Sequence, residues 1–308
     1  MRKSYFYAAI AIVFFGTLAP AVKLLVQGVG SFEFLCVASA FGGLALTAVC
    51  AYKKLGAKVR AYSIKDYIKM IFMGSIGVFA TNGLYYLGIE TMKSQDACII
   101  NYLWPIMTIV FGCIILKEKI TARKCAAALL AFFGVVLVAT QGHIFTMQLT
   151  SVRGVVCCVL GAVGYGLYCV INKREHYDDT ISMTVYMYTS AVMSAICVPI
   201  MDGFEPLDLV QTAGIAYVGI FPIAVGCMLW AKALKNGNTA KISILAYITP
   251  FLTLVFGYLI LGEKVSLFSL AGLVVIVAGI AVQIFEKGEE SAEETVLAEE
   301  GARERKAA

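Results

Sequence analysis

Ten nearly uninterrupted apolar stretches, at roughly 5–26, 31–52, 67–89, 95–116, 122–141, 151–172, 181–200, 208–234, 239–261 and 266–286, leave this chain little choice of solvent. A helix crossing the hydrocarbon of a bilayer needs about 20 mainly apolar residues, and with no water to bond there it must satisfy its own backbone. The chain's mean hydropathy of +0.83, with 60% hydrophobic and 15% charged residues, lies far from that of a soluble domain. A transmembrane barrel would alternate polar and apolar positions, which these continuous runs do not. The expectation is an all-α integral membrane protein of ten transmembrane helices.

Two of the stretches are copies of one another. Tyr102 to Lys119 reads YLWPIMTIVFGCIILKEK, and Tyr247 to Lys264, 145 positions later, reads YITPFLTLVFGYLILGEK, with ten of eighteen positions identical and no gap. At the same spacing Gly74, Leu84, Tyr85 and Gly134 pair with Gly219, Leu229, Trp230 and Gly279. Near the start of each half the spacing becomes 150, which pairs Phe15 and Gly16 with Tyr165 and Gly166, and Lys23 with Lys173. Residues 5–141 and 151–286 are therefore read as two five-helix repeats, followed by a charged tail at 287–308.

Basic residues orient the repeats. Positions 2–3, 53–69, 117–124, 173–174, 232–241 and 287–306 hold 21 of the 25 Lys and Arg, leaving Lys93, Arg153 and Lys264 to the opposite side and Lys23 within the first span. Such a bias places both termini in the cytoplasm of a multi-pass protein of the cell membrane. Five helices per repeat is an odd number, so the second copy enters the membrane inverted. Inverted repeats are the architecture of secondary transporters, which form a substrate site between the halves near the bilayer midplane.

Little else in the sequence suggests chemistry. All ten cysteines fall within predicted spans without CxxC spacing, His143 and His176 fall in loops, and no HExxH, GxSxG or paired intramembrane carboxylate occurs. The cysteines read as small packing residues, and neither a metal site, a cofactor nor an enzyme is implied. Glu33, Glu90 and Asp96 sit near outer span ends, and Glu118 and Glu263 close their helices at the surface.

Polar and aromatic side chains held in hydrocarbon at a cost are the candidates for a substrate cavity. They are Lys23, Asn82, Tyr85, Tyr86, Asn101, Tyr102 and Trp104 in the first half, and Tyr165, Tyr168, Asn172, Trp230, Tyr247 and Thr249 in the second. The expected binding set is Asn101, Tyr102, Trp104, Tyr165, Tyr168, Asn172 and Tyr247. Pro105 and Pro250 occupy one repeat position, where proline removes a backbone donor and kinks a helix, so both are read as kink or gating positions.

The repeated P-x-x-T-x-x-x-G with its E-K helix end resembles the drug/metabolite transporter superfamily, in particular its ten-helix members built from two EamA domains. NYLWP at 101–105, Tyr168, Cys169, Asn172 and Lys173, and Gly237, Asn238, Tyr247, Thr249 and Pro250 are similar to segments of bacterial aromatic amino acid exporters. Asp96 falls where those exporters carry an acid. Tyr165 and Phe15 stand where they carry tryptophan, so the aromatic lining is altered. The resemblance implies export of aromatic or other amino acids, or related amphiphilic metabolites, by alternating access; cationic drugs are the alternative, and a membrane enzyme or scaffold the reading from another class. The implied partners are a small-molecule substrate and the lipid bilayer, with no nucleic acid, and one chain carrying both repeats can form the path as a monomer.

Overall fold

The computed structural model describes residues 2–25, 28–91, 94–140, 142, 151–201, 203–262, 267–268 and 270–282. The tail at 287–308, the second helix end at Glu263 and Lys264, Lys93 and His143 lie outside the described residues, as do the side chains of Glu90 and Asp96.

Long apolar runs without interior charge propagate helix from end to end, giving α1 (Arg2–Leu25), α2 (Ser31–Tyr52), α8 (Ala122–Thr140), α9 (Val152–Arg174) and α10 (Asp179–Met201). Other stretches are helical in pieces. A short α3 (Gly56–Ala61) leads to α4 (Ile64–Gly74), a π-helical turn at Ser75–Ala80 and α5 (Thr81–Thr91). Then come α6 (Ser94–Asn101) and α7 (Trp104–Ile115), separated by two residues in a turn. In the second half, α11 (Leu209–Val218), a π-turn at Gly219–Gly226 and α12 (Cys227–Lys235) precede α13 (Thr239–Leu245), a 3-10 turn at Ala246–Ile248 and α14 (Thr249–Leu261). A further apolar helix, α15, spans Leu270–Val282. No strand occurs among the described residues. Among the described residues, eight helical stretches are long and apolar enough to cross a membrane, and α8 and α15 fall on the two remaining predicted stretches.

The two halves share their start signals. Ser63 caps α4 through a capping box with Asp66, and Asp208, 145 positions later, caps α11 through a capping box with Gln211. The π-turns that follow begin 144 positions apart, at Ser75 and Gly219. Glycine correspondence is also spatial. A Cβ on Gly134 would meet Ile276 Cγ1 at 2.6 Å and the Gly272 carbonyl at 2.8 Å, while one on Gly279 would meet the Ala127 carbonyl at 2.8 Å and the Ala131 nitrogen at 2.9 Å. Adding 145 to 127 and 131 gives 272 and 276, so α8 and α15 pack reciprocally, as isologous surfaces do.

Most of the main helix contacts cross between the halves: α2 lies along α10, α5 and α7 along α9, and α1 along α12 and α14. With lipid as apolar as leucine, such contacts rest on close packing rather than on water exclusion, hence small residues at the crossings. Gly42 of α2 meets Gly219 of the second π-turn, where any Cβ on Gly219 would overlap the Ala38 carbonyl.

One end of the bundle gathers basic residues and ion pairs. There Lys58 pairs with Asp178 at 3.2 Å, Lys69 with Glu175 at 2.7 Å, Lys173 with Glu118 at 2.7 Å and Lys235 with Asp179 at 2.6 Å. Glu118 is more than a helix end at the surface, since its carboxylate also accepts from the Thr239 amide and hydroxyl. Burial alone would raise its carboxyl pKa, but hydrogen bonds from Lys173 and Thr239 and the Lys173 charge outweigh burial and hold it below the ordinary value.

Gly219→Val is expected to destabilise the protein by about 1–3 kcal/mol through overpacking, whereas Gly164→Ala, whose Cβ would find its nearest neighbour at 3.4 Å, is expected to be tolerated. Thermal unfolding in detergent compares the two variants with the parent.

Candidate functional site

Where the helices are interrupted, they face one another across a cavity of about 390 Å³. Its wall is assembled from both halves: Phe15 and Leu18 of α1, Gly77 and Val78 of the first π-turn, and Thr81, Asn82 and Tyr85 of α5. Cys98, Asn101, Tyr102 and Trp104 of the α6–α7 break, Ala139 of α8, and Tyr165 and Tyr168 of α9 continue it. Pro222 and Ile223 of the second π-turn, Cys227 of α12, and Thr249, Pro250, Thr253 and Leu254 of α14 close the circuit.

An interrupted helix frees backbone groups that hydrocarbon cannot satisfy, and in the first half polar side chains bond carbonyls at or beside the breaks. Thr81 Oγ1 donates to the Gly77 carbonyl at 2.8 Å and Asn82 Nδ2 to the Val78 carbonyl at 2.6 Å, so the two polar residues after the first π-turn bond its own carbonyls. Thr108 Oγ1 donates to the Trp104 carbonyl at 2.8 Å at the start of α7. Pro105 and Pro250 each sit in the first turn of the helical segment that follows a local break, α7 or α14, where a missing N–H costs little. Pro250 lines the cavity and Pro105, although buried, does not.

Aromatic rings form the inner wall. Trp104 stands edge-on to Tyr165, with centroids 5.0 Å apart at 89°, and to Trp230, at 5.4 Å and 85°; Trp230 in turn meets Phe15 at 6.2 Å. Tyr165 continues to Tyr168 at 5.7 Å, and Tyr168 to Tyr186 at 5.7 Å. Tyr168 closes the inner end, packed so tightly on Gly77 that a Cβ there would overlap its ring. The Tyr165 hydroxyl lies 3.8 Å from Cys227 Sγ.

Of the expected binding set, the fold brings Asn101, Tyr102, Trp104, Tyr165 and Tyr168 to this wall and leaves two residues behind it. Asn172 is buried, and its Oδ1 accepts a 3.0 Å hydrogen bond from Tyr186 of α10. Tyr247 is fully buried among α7, α8 and α15, its ring 6.5 Å from that of Tyr102, its repeat counterpart. Lys23 is exposed in the last turn of α1, away from the wall. Two of the ten free cysteines, Cys98 and Cys227, line the cavity rather than merely packing helices. Gly77, Pro222 and Thr253 also line the cavity, outside the polar and aromatic set expected from the sequence; the paired Gly74 and Gly219 lie at the starts of the two π-turns.

No charged side chain is among the described lining residues. The wall offers ring faces, hydroxyls and the amides of Asn82 and Asn101, a set suited to an amphiphilic molecule that carries its own charge balance.

Known proteins are similar to this chain. A family model described as the EamA-like transporter family matches residues 2–140 and 152–285. The uncharacterized transporter YyaM of Bacillus subtilis (strain 168) is 28% identical over 223 residues, covering 70% of this chain and 72% of its own length. The aromatic amino acid exporter YddG of Ancylobacter novellus is 24% identical over 179 residues, covering 58% of this chain and 62% of its own. A solved protein crystal structure has a TM-score of 0.81 at 20% identity, covering 91% of this chain and 96% of that one, which is a likeness of fold.

Asn172→Ala deprives the buried Tyr186 hydroxyl of its acceptor and is expected to cost about 1–3 kcal/mol of stability. Asn101→Ala, on the cavity wall, is expected to change stability by less than about 0.5 kcal/mol. Parallel unfolding curves of the two variants separate the supporting residue from the lining one.

Proposed function

The chain belongs to the EamA-like transporter family, and from that footing we propose that it is a secondary exporter of small amphiphilic metabolites, aromatic or other amino acids foremost. It is a multi-pass membrane protein of a transporter family, not an enzyme. The observation that carries the proposal is the aromatic, uncharged cavity, built from both halves at the points where their helices break. Broken helices around a midplane site are how transporter folds present backbone and side-chain polar groups to a solute.

The reading extends to architecture. Ten spans in two inverted repeats, 5–141 and 151–286, with both termini and the tail 287–308 on the cytoplasmic side of the cell membrane, would make the basic end of the bundle the cytoplasmic one. Capping boxes, π-turns and reciprocal α8–α15 glycines at spacings of 144 or 145 support the repeat. Asn101, Tyr102, Trp104, Tyr165 and Tyr168 contact the solute, while Asn172 and Tyr247 brace the residues that do, and one chain suffices for the path.

Substrate class follows from the wall. A zwitterionic amino acid brings its own countercharge, so neutral donors and ring faces can hold its carboxylate and ammonium. An organic phosphate would leave its charge without a cation among the described lining residues, at a desolvation cost that disfavours it. The relative named an aromatic amino acid exporter supports the same class.

In proteoliposomes, counterflow of labelled tryptophan, phenylalanine and tyrosine is expected to saturate, with sugar phosphates failing to compete. Trp104→Ala is expected to raise KM about 2- to 12-fold, the value of an aromatic contact worth about 0.5–1.5 kcal/mol. Absence of saturable flux across a panel of amino acids and organic cations would refute the exporter reading.

A further inference from the structure

The cavity reaches the bundle end opposite the basic face. Ala139 is the penultimate residue of α8 and Cys98 the fifth residue of α6, yet nothing lining the cavity lies beyond Tyr168 towards the basic end of α9. Lys173 follows Tyr168 by five residues, about 8 Å further along α9 at 1.5 Å per residue. There its ammonium uses all three of its protons, donating to Glu118 Oε1 at 2.7 Å, the Gly237 carbonyl at 2.7 Å and Thr239 Oγ1 at 2.9 Å. Glu118 closes the ring by accepting from the Thr239 hydroxyl at 2.7 Å and its amide at 3.1 Å.

These residues sit on, or directly next to, helices that lead into the cavity wall. Glu118 follows α7, which carries Trp104; Lys173 ends α9, which carries Tyr165 and Tyr168; Thr239 begins α13, which leads to Thr249 and Pro250 on α14. Glu118 belongs to the first half of the chain, and Lys173 and Thr239 to the second. Between α7 and α13 the spacing is tight, with a Cβ on Gly112 meeting Thr239 Cγ2 at 3.2 Å. A solute leaving the cavity through the basic face would have to part these three helix ends.

We propose that Glu118, Lys173 and Thr239 form the lock that closes the basic face beneath the cavity, and that this lock must break for the cavity to open there. The proposal rests on the transporter reading for its purpose, but the closure is measurable without any substrate. The exposed Lys58–Asp178 pair at the same face, whose lysine side chain is 63% exposed, ties the short α3 to the α9–α10 loop rather than joining cavity-lining helices, and is not part of the lock.

Cys227, a cavity thiol, is the reporter. Inverted and right-side-out membrane vesicles are treated with a membrane-impermeant maleimide, and modification of Cys227 is followed by peptide mass spectrometry. In the parent protein it is expected to label from the side opposite the basic face and to resist labelling from the basic side. Glu118→Gln is expected to speed labelling from the basic side on the order of tenfold, the loss of one hydrogen-bonded charge, and the exchange E118K/K173E to slow it again. Lys58→Ala should leave the rate unchanged. If Glu118→Gln does not fold, Thr239→Val, which keeps both charges and removes the hydroxyl between them, is expected to speed labelling likewise. Equal labelling of the parent from both sides, or basic-side labelling that none of the lock variants changes, overturns the lock. Counterflow on the same vesicles separates the two ideas: flux without a labelling response rejects the lock alone, and a labelling response without flux of any solute rejects the substrate reading alone.

Discussion

Hydrocarbon offers a backbone no hydrogen bonds, and the architecture follows from how this chain meets that condition. Where helices contribute nothing to the cavity wall, as in α2 and α10, they run unbroken. Where they are broken, at the two π-turns, the α6–α7 gap and the 3-10 turn before α14, the breaks converge on one cavity or directly adjoin its wall. Irregular backbone at membrane depth survives only beside protein or a cavity. Thr81, Asn82 and Thr108 show the local solution, each returning a hydrogen bond to a carbonyl in the preceding turn.

Duplication supplies a second ordering principle. Because α8 meets α15 through glycines with matching contacts, both copies reuse one packing solution, and Tyr102 touches its own counterpart Tyr247. The copies then diverge in chemistry. Tyr102 faces the cavity while Tyr247 is sealed behind it; Trp104 presents an indole where the second copy has Thr249. A symmetric frame thus carries an asymmetric wall.

Charge is separated along the bundle axis. The cavity wall is neutral among its described residues, while the basic end concentrates ion pairs at the membrane edge, where water reduces the desolvation cost of burying ions. Such pairs are individually weak at an accessible surface. One of them, Lys173–Glu118, joins the ends of α7 and α9, two helices that carry cavity-wall residues.

Read without coordinates, the chain already declares its solvent, the places where most helices begin and end, and its duplication, because hydropathy, capping and repetition are properties of neighbouring residues. Five of the seven expected binding residues lie on the cavity wall for the same reason: a polar or aromatic group in an apolar run is costly wherever it points. Which way it points is another matter. Asn172 and Tyr168 are four residues apart on one helix, yet one bonds Tyr186 behind the wall and the other closes the cavity. The π-turns, the role of prolines as helix starters and the meeting of Glu118 with Lys173 and Thr239 likewise escape the linear reading. Hydropathy along a chain records the cost of burying each residue, but partners more than 50 positions away in sequence decide what offsets that cost, and only the packed helices bring them together.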